Sequence, residues 1–383
     1  MQEINRIISD TFLEMARMLE SGKTGCRAKI AITGVGSEHG EENVMKAAES
    51  AARKGVEVFY VGTLTSPEVT TVTAATDEEA HAQMEKLLSE KSVDAAVTMH
   101  YPFPIGVSTV GRAVTPALGK EMFIANTTGT ASSERVEAMV LNAVSGIIAA
   151  KACGIREPRV GILNVDGARQ TEIVLNKLKD NGYPFAWAES ERSDGGAILR
   201  GNDVLLGTPD VLVTDSLTGN VLTKMLAAFT AGGKFETTGY GYGPGIGRGY
   251  DRLVLIVSRA SGAPLIENAI LYAAELVENN VLKVAAEEYA LAEKAGLSKL
   301  LKERRANGAK KEEPAAVPEV KKEPCTFSVA GIDVTDIEDA AAVLLRAGIY
   351  SETGMGCTGP LIILPERQKD EAVKLLKEAG YIG

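Results

Sequence analysis

Short apolar runs alternate with segments of helical periodicity along most of the first 260 residues, and this alternation constrains the fold more than any other feature. Lys29–Thr33, Val56–Gly62 and Ala95–Met99 have the length and near-continuous apolar character of buried strands; Asn43–Lys54 and Glu78–Glu90 between them have helical spacing. Parallel strands need a crossover helix and are covered on both faces, so the pattern predicts an α/β fold with a mainly parallel sheet. The rhythm restarts at Arg159–Val165 and continues through strands at Val211–Thr214 and Arg252–Ser258, which predicts two consecutive lobes, about 1–155 and 156–305. A long helix is expected from Pro264 to about Ala292, and a second, Leu297–Ala306, closes the body. At the N-terminus, residues 3–20 place Ile4, Ile7, Ile8, Phe12, Met15 and Leu19 on one stripe of an amphipathic helix.

Composition changes at Ala306. From there to Pro324 the chain carries Lys310, Lys311, Glu312, Glu313, Lys321, Lys322 and three prolines with almost nothing to bury, which predicts a flexible linker over 306–324. Residues 325–383 then read as a small α/β module: strand Thr326–Val329, helix Ile337–Ala347, a cysteine loop, strand Leu361–Leu364 and helix Gln368–Gly380. A core that small is marginal. The module is expected to dock on the body or on a partner.

A net charge of −10, with lysine and arginine scattered along the chain, repels polyanions and argues against nucleic acid as a partner. No apolar run approaches the ~20 residues needed to cross a bilayer, so no membrane partner is expected. The four cysteines form no C-x-x-C pair and there is no signal peptide, which points to the reducing cytoplasm, without disulfides, metal or other cofactor.

Four segments are candidates for chemistry. Cys357 lies in Gly354-Met355-Gly356-Cys357-Thr358-Gly359-Pro360, where glycines permit a tight turn and offer N–H groups to a developing negative charge; this suits a delivered thiolate nucleophile, and equally a small residue filling a turn. Cys153 ends an apolar helical run and reads as buried and inert, while Cys26 and Cys325 precede strands. The turn Gly34–Gly40 opens a helix after a strand, but its spacing and its acidic residues Glu38, Glu41 and Glu42 favour a structural turn over a dinucleotide site. The glycine-rich stretch Thr237–Arg252 offers Gly245, Gly247, Arg248 and Arg252 to an anion, or forms a surface hairpin. Finally, Pro209–Lys224 reads as a buried strand ending in a polar turn, where Ser216, Thr218, Asn220 and Lys224 collect at the carboxyl end, the place where ligands bind in parallel sheets; capping by Ser216 or Thr218 explains one hydroxyl but not the cluster. The segments 216–220 and 239–249 are expected to face each other across a cleft. Of His39, His81 and His100, only His100 follows a strand at that cleft, as general base or as a capping residue.

The run Asp215-Ser216-Leu217-Thr218-Gly219-Asn220-Val221-Leu222-Thr223-Lys224 resembles the Asp-Gly-Phe-x-Gly-Asn-Val-x-x-Lys segment of the acyl-phosphate-forming PlsX acyltransferases, relatives of the phosphotransacetylases. Arg156–Asn164, Arg200–Asp203 and Leu253–Asn268 extend the likeness over most of residues 29–275. At Thr98-Met99-His100-Tyr101-Pro102 the chain departs from the family's Ser-Ala-Gly-Asn-Thr-Gly-Ala turn. With Cys357 and its module included, the whole chain resembles the component C alpha subunits of the glycine/sarcosine/betaine reductase complex. That resemblance implies a two-lobed PlsX-like body and a role in amino-acid fermentation. It further implies that component C takes a carboxymethyl selenoether from selenoprotein A, forms an acetyl thioester on a cysteine, and passes the acetyl group to phosphate as acetyl phosphate. The implied partners are selenoprotein A, a beta subunit and phosphate, in an oligomer. Two other readings stay open: a free-standing phosphotransacylase using acyl-carrier or coenzyme A thioesters, and a non-catalytic docking scaffold.

Overall fold

The computed structural model describes residue 12 and residues 27–191, 195–309, 320–332, 336–356 and 359–382. The amphipathic segment 3–20, apart from Phe12, and Cys26 lie outside these residues, as do Cys357 and positions 310–319 of the linker.

The chain forms two compact units, each discontinuous in sequence: 1–101 with 227–244 and 252–280, and 102–226 with 245–251 and 281–383. This differs from the expected division near residue 155. The restart of the strand–helix rhythm at Arg159 falls inside the second unit, because the chain enters that unit after Tyr101 and leaves it only at Ala227.

In the first unit, five parallel strands run in the order β3 (Thr70–Thr73), β2 (Glu57–Gly62), β1 (Lys29–Thr33), β4 (Ala95–Thr98) and β12 (Val254–Ile256). Helices α1 (Glu41–Arg53), α2 (Asp77–Ser89) and α7 (Ala263–Glu278) cover them, with α1 against α7. The sheet is continuous apolar sequence for the expected reason: β4 is buried along its whole length. The turn 34–40 is structural. Its Gly34, Glu38 and Gly40 N–H groups donate to Val61, Arg259 and Ser37 carbonyls at 2.8, 2.9 and 3.1 Å, which leaves them no phosphate to hold. Glu41 at the start of α1 accepts from the Tyr60 hydroxyl (2.8 Å), the Thr63 N–H (2.8 Å) and the Thr63 hydroxyl (2.8 Å). Burial pushes its carboxyl up, but these bonds and one from the Leu64 N–H outweigh that and hold it below its ordinary value.

The second unit is mixed. β5 (Val107–Val114) and β6 (Glu121–Thr130) form a long antiparallel hairpin; β6, β10 (Val211–Val213) and β7 (Arg159–Leu163) then run parallel, with β8 (Ala186–Trp187) and β9 (Ile198–Leu199) beside β7. Helix α3 (Arg135–Ala152) is almost wholly buried, and Gly146 lets it approach β10: a Cβ there would lie 2.3 Å from Val211 Cγ1. Around it stand α4 (Ala168–Asp180), α5 (Gly201–Leu206), α6 (Ser216–Ala228, its last two residues in the first unit), α8 (Val281–Lys294) and α9 (Leu297–Ala309). The single helix expected from Pro264 is two, since Asn280, at φ 52°, breaks it between α7 and α8.

The glycine-rich stretch 243–247 is neither an open loop nor a surface hairpin but a buried strand, β11 (Gly243–Gly247). Its first residues pair antiparallel with β12 and its last three with β5. Residues 327–378 build the C-terminal module: an antiparallel sheet in the order β13 (Phe327–Ala330), β15 (Gly359–Leu364), β14 (Glu352–Gly356), with α10 (Ile337–Arg346) and α11 (Lys369–Glu378) on one face. Val329, Ile362 and Leu364 join Ile337, Leu344 and Leu376 in a core of its own. Asp336, before α10, accepts a 3.2 Å hydrogen bond from the Gln170 amide of α4.

Candidate functional site

β10 ends at Val213, Thr214 is buried behind it, and α6 begins two residues later, so the polar turn read from the sequence stands at the carboxyl end of a parallel strand. The helix is capped by Asp215. One carboxylate oxygen accepts from the Thr218 N–H at 3.0 Å and the other from its hydroxyl at 2.7 Å, while the Asp215 carbonyl accepts the Gly219 N–H at 3.0 Å. Thus the expected cap by Ser216 or Thr218 is replaced by one from Asp215, and Thr218 is its donor. Ser216 and Leu217 stand exposed ahead of the first intrahelical bonds, where N–H groups and the helix dipole favour an anion. Lys224 is exposed two turns along.

Two contacts fix this turn against β6. A Cβ on Gly219 would fall 1.8 Å from the Asn126 carbonyl oxygen, so only glycine lets α6 lie this close. The Asn220 amide donates to the Thr127 carbonyl at 3.1 Å. Asn126 and Thr127 are buried polar residues held in turn: Asn126 accepts the Thr128 N–H (2.8 Å) and donates to the Gly129 carbonyl (3.0 Å), and the Thr127 hydroxyl meets that of Thr109 at 2.5 Å. Behind the turn, the Asn142 amide donates to the Thr214 carbonyl at 3.1 Å. The sequence reading missed Asn126-Thr127-Thr128-Gly129. Its signal was a polar run directly after the apolar strand residues Phe123-Ile124-Ala125, the same pattern that drew attention to 215–220.

The other expected phosphate ligands are engaged elsewhere. Gly245 and Gly247 serve packing: Cβ atoms there would lie 2.3 Å from the Phe103 ring and 2.5 Å from the Gly106 carbonyl oxygen. Arg248 pairs with Glu293 at 2.9 Å and donates to the Ser298 hydroxyl at 3.1 Å, beside a cavity of about 290 Å³ also lined by Glu137, Tyr289 and Lys302. Arg252 pairs with Glu85, and the hydrogen bonds it donates to Glu85 and Tyr101 raise its already high pKa. With carboxylate partners in place, neither guanidinium is an open anion receptor, and the structure gives 239–249 and 216–220 separate partners. His100 is exposed just past β4, its carbonyl accepting the Thr98 hydroxyl at 3.3 Å. Cys153 is half-buried at the end of α3 rather than fully enclosed, its Sγ 3.8 Å from Arg112 Nη1, and Cys325 is likewise half-buried with its thiol pKa pushed up by burial and by Glu352 and Glu323. No described helix is long and apolar enough to cross a membrane.

Residues 28–362 match the model of the family described as fatty acid synthesis protein. Over its full length the chain is 52% identical to the glycine/sarcosine/betaine reductase complex component C subunit alpha of Peptoclostridium acidaminophilum, covering 100% of both. A phosphate acyltransferase of Thermus thermophilus is 28% identical over 51% of this chain and 70% of its own. Among solved structures, a branched-chain phosphotransacylase from Enterococcus faecalis covers 65% of this chain and 99% of its own at 14% identity, with a TM-score of 0.46. The chain thus belongs to the fatty acid synthesis protein family, within it to the component C alpha subunits of glycine/sarcosine/betaine reductase.

Proposed function

We propose that this protein is an acyltransferase that moves an acetyl group from a thioester on Cys357 to phosphate, releasing acetyl phosphate, as a subunit of a glycine, sarcosine or betaine reductase. The observation that carries this reading is the first turn of α6, fixed against β6 by Gly219 and Asn220 at the carboxyl end of β10. Full-length similarity to a component C alpha subunit and similarity of the body to phosphate acyltransferases support it. Phosphate sits at the Ser216–Asn220 turn, with Lys224 adding charge. A phosphate oxygen attacks the thioester carbonyl, the new C–O bond forms as the C–S bond breaks, and the Cys357 thiolate leaves. Forming the thioester first divides one difficult transfer into two easier ones. Selenoprotein A supplies the two-carbon unit and a beta subunit completes the assembly, in the cytoplasm.

Cys357→Ser tests the reading. Acetyl-phosphate arsenolysis falls to background in that variant and persists in Cys153→Ser; full activity in Cys357→Ser overturns it. That outcome favours instead a phosphotransacylase acting on thioesters made elsewhere, the reading to which the phosphate acyltransferase similarity of the body also lends support.

A further inference from the structure

An exposed apolar row on α6 and a half-buried apolar face on the C-terminal module match. On α6, Leu217, Val221 and Met225 are 74%, 47% and 66% exposed, and their spacing of four places them on one face of the helix. Single exposed apolar residues are ordinary; a continuous row marks an interaction surface. In the module, Val329, Ile362 and Leu364 face the helices, so the alternate residues face away. Register aligns them in two rows, Ser328–Ile363–Glu352 and Ala330–Leu361–Gly354. Gly354 lies on this same face, since a Cβ there would meet Leu361 Cδ1 at 3.4 Å and Ile363 Cδ1 at 3.5 Å. The result is a face with Leu361 and Ile363 at its centre, flanked by Ser328, Ala330, Gly354 and Glu352.

We infer that the module seats this open sheet face on the exposed stripe of α6, which carries the β14–β15 hairpin end to the first turn of that helix. The lengths agree. From Met225 to Leu217 the helix rises about 12 Å, and from Ile363 to Gly359 the strand rises about 13 Å. With Ile363 on Met225 and Leu361 on Val221, Gly359 therefore arrives at Leu217. Charge agrees in the same register: Lys224, the only charged residue of α6, adjoins Met225, and exposed Glu352 adjoins Ile363. The linker permits the movement, since residues 310–326 extend to at most about 60 Å. Leu217, Val221 and Met225 stand exposed, and Leu361 and Ile363 are only half-buried, so the structure holds the module undocked.

The inference rests on the proposed transfer for its purpose, but the docking itself is measurable without it. In the full chain, Met225→Cys with Ile363→Cys, mildly oxidised, is expected to form a disulfide within one chain, located by peptide mass mapping. Leu205→Cys, another exposed position, is expected to form none with Ile363→Cys. A bond between two chains would assign the stripe to a second copy and overturn the inference. So would the absence of a bond, or equal bonding by the Leu205 control. The paired change Val221→Glu and Met225→Glu, in protein with an unchanged circular dichroism spectrum, is expected to slow phosphate-dependent loss of acetyl from Cys357 at least tenfold; an unchanged rate overturns it. If the unaltered protein forms no acetyl phosphate at all, the proposed function fails, while the disulfide still reports docking.

Discussion

Gly219→Ala is the sharpest probe of the α6 turn. The added Cβ would fall 1.8 Å from the Asn126 carbonyl oxygen and 2.9 Å from its carbonyl carbon. Backbone atoms cannot rotate away, so the helix start must withdraw by about 1.2 Å to open the first contact to 3.0 Å. Alanine's better helix propensity returns only about 1 kcal/mol. A withdrawal of that size breaks the 3.1 Å bond from Asn220 to the Thr127 carbonyl and displaces the exposed N–H groups of the first turn. Misplacement by about 1 Å costs on the order of a hundredfold in rate, equivalent to about 2.7 kcal/mol of transition-state stabilisation. Phosphate-dependent release of acetyl from Cys357 is therefore expected to fall about a hundredfold, while acetylation of the thiol persists. Gly161→Ala is the control: its Cβ meets the Leu199 side chain on β9, so it lowers the melting temperature without touching the turn. Wild-type release in Gly219→Ala would refute the argument, and so would an equal loss in Gly161→Ala.

Three further outcomes are expected. Asp215→Ala removes the acceptor of the Thr218 N–H and hydroxyl and lowers stability by about 1 kcal/mol in urea unfolding, with Asp215→Asn intermediate. Lys151→Met strands Glu288, 6% exposed and bonded to Lys151 at 2.6 Å and to the Tyr183 hydroxyl at 3.0 Å, and is expected to cost about 3–5 kcal/mol; adding Glu288→Leu recovers much of it. Because the folded state holds the Glu41 carboxyl below its ordinary value of 4.5, its stabilisation is present above pH 4.5 and is lost as pH falls through the lower folded value. Glu41→Gln is thus expected to be less stable at pH 7 and to lose less on acidification below 4.5, and a parallel acid limb in the two proteins counts against this.

The strands of the first unit were legible because β1, β2 and β4 are buried on both faces and so appear as unbroken apolar runs. β5 and β6 were not, because their hairpin contains the buried polar residues Thr109, Asn126 and Thr127, which break the apolar pattern; the two threonines bond to each other, and Asn126 bonds to the Thr128 and Gly129 backbone. The α7–α8 break was hidden because asparagine, unlike proline, leaves helical periodicity intact on both sides. At the site, the turn 215–220 was visible as a polar cluster after an apolar strand. The arginines misled for a physical reason: Arg248 and Arg252 find Glu293 and Glu85, residues 45 and 167 positions away in sequence, and nothing local announces such a pair. Glycine carried the opposite lesson. In β11 it makes room for Phe103 and the Gly106 backbone, and in α6 it makes room for Asn126, so one residue type marks packing in both places and a candidate site in only one.

Mass spectrometry of the protein quenched during turnover shows whether Cys357 carries the acetyl group, as proposed. An acetyl adduct is expected on the peptide containing Cys357, discharged on adding phosphate with stoichiometric formation of acetyl phosphate. An adduct on Cys153 or Cys325, or steady acetyl-phosphate production with Cys357 unmodified, would contradict the proposal.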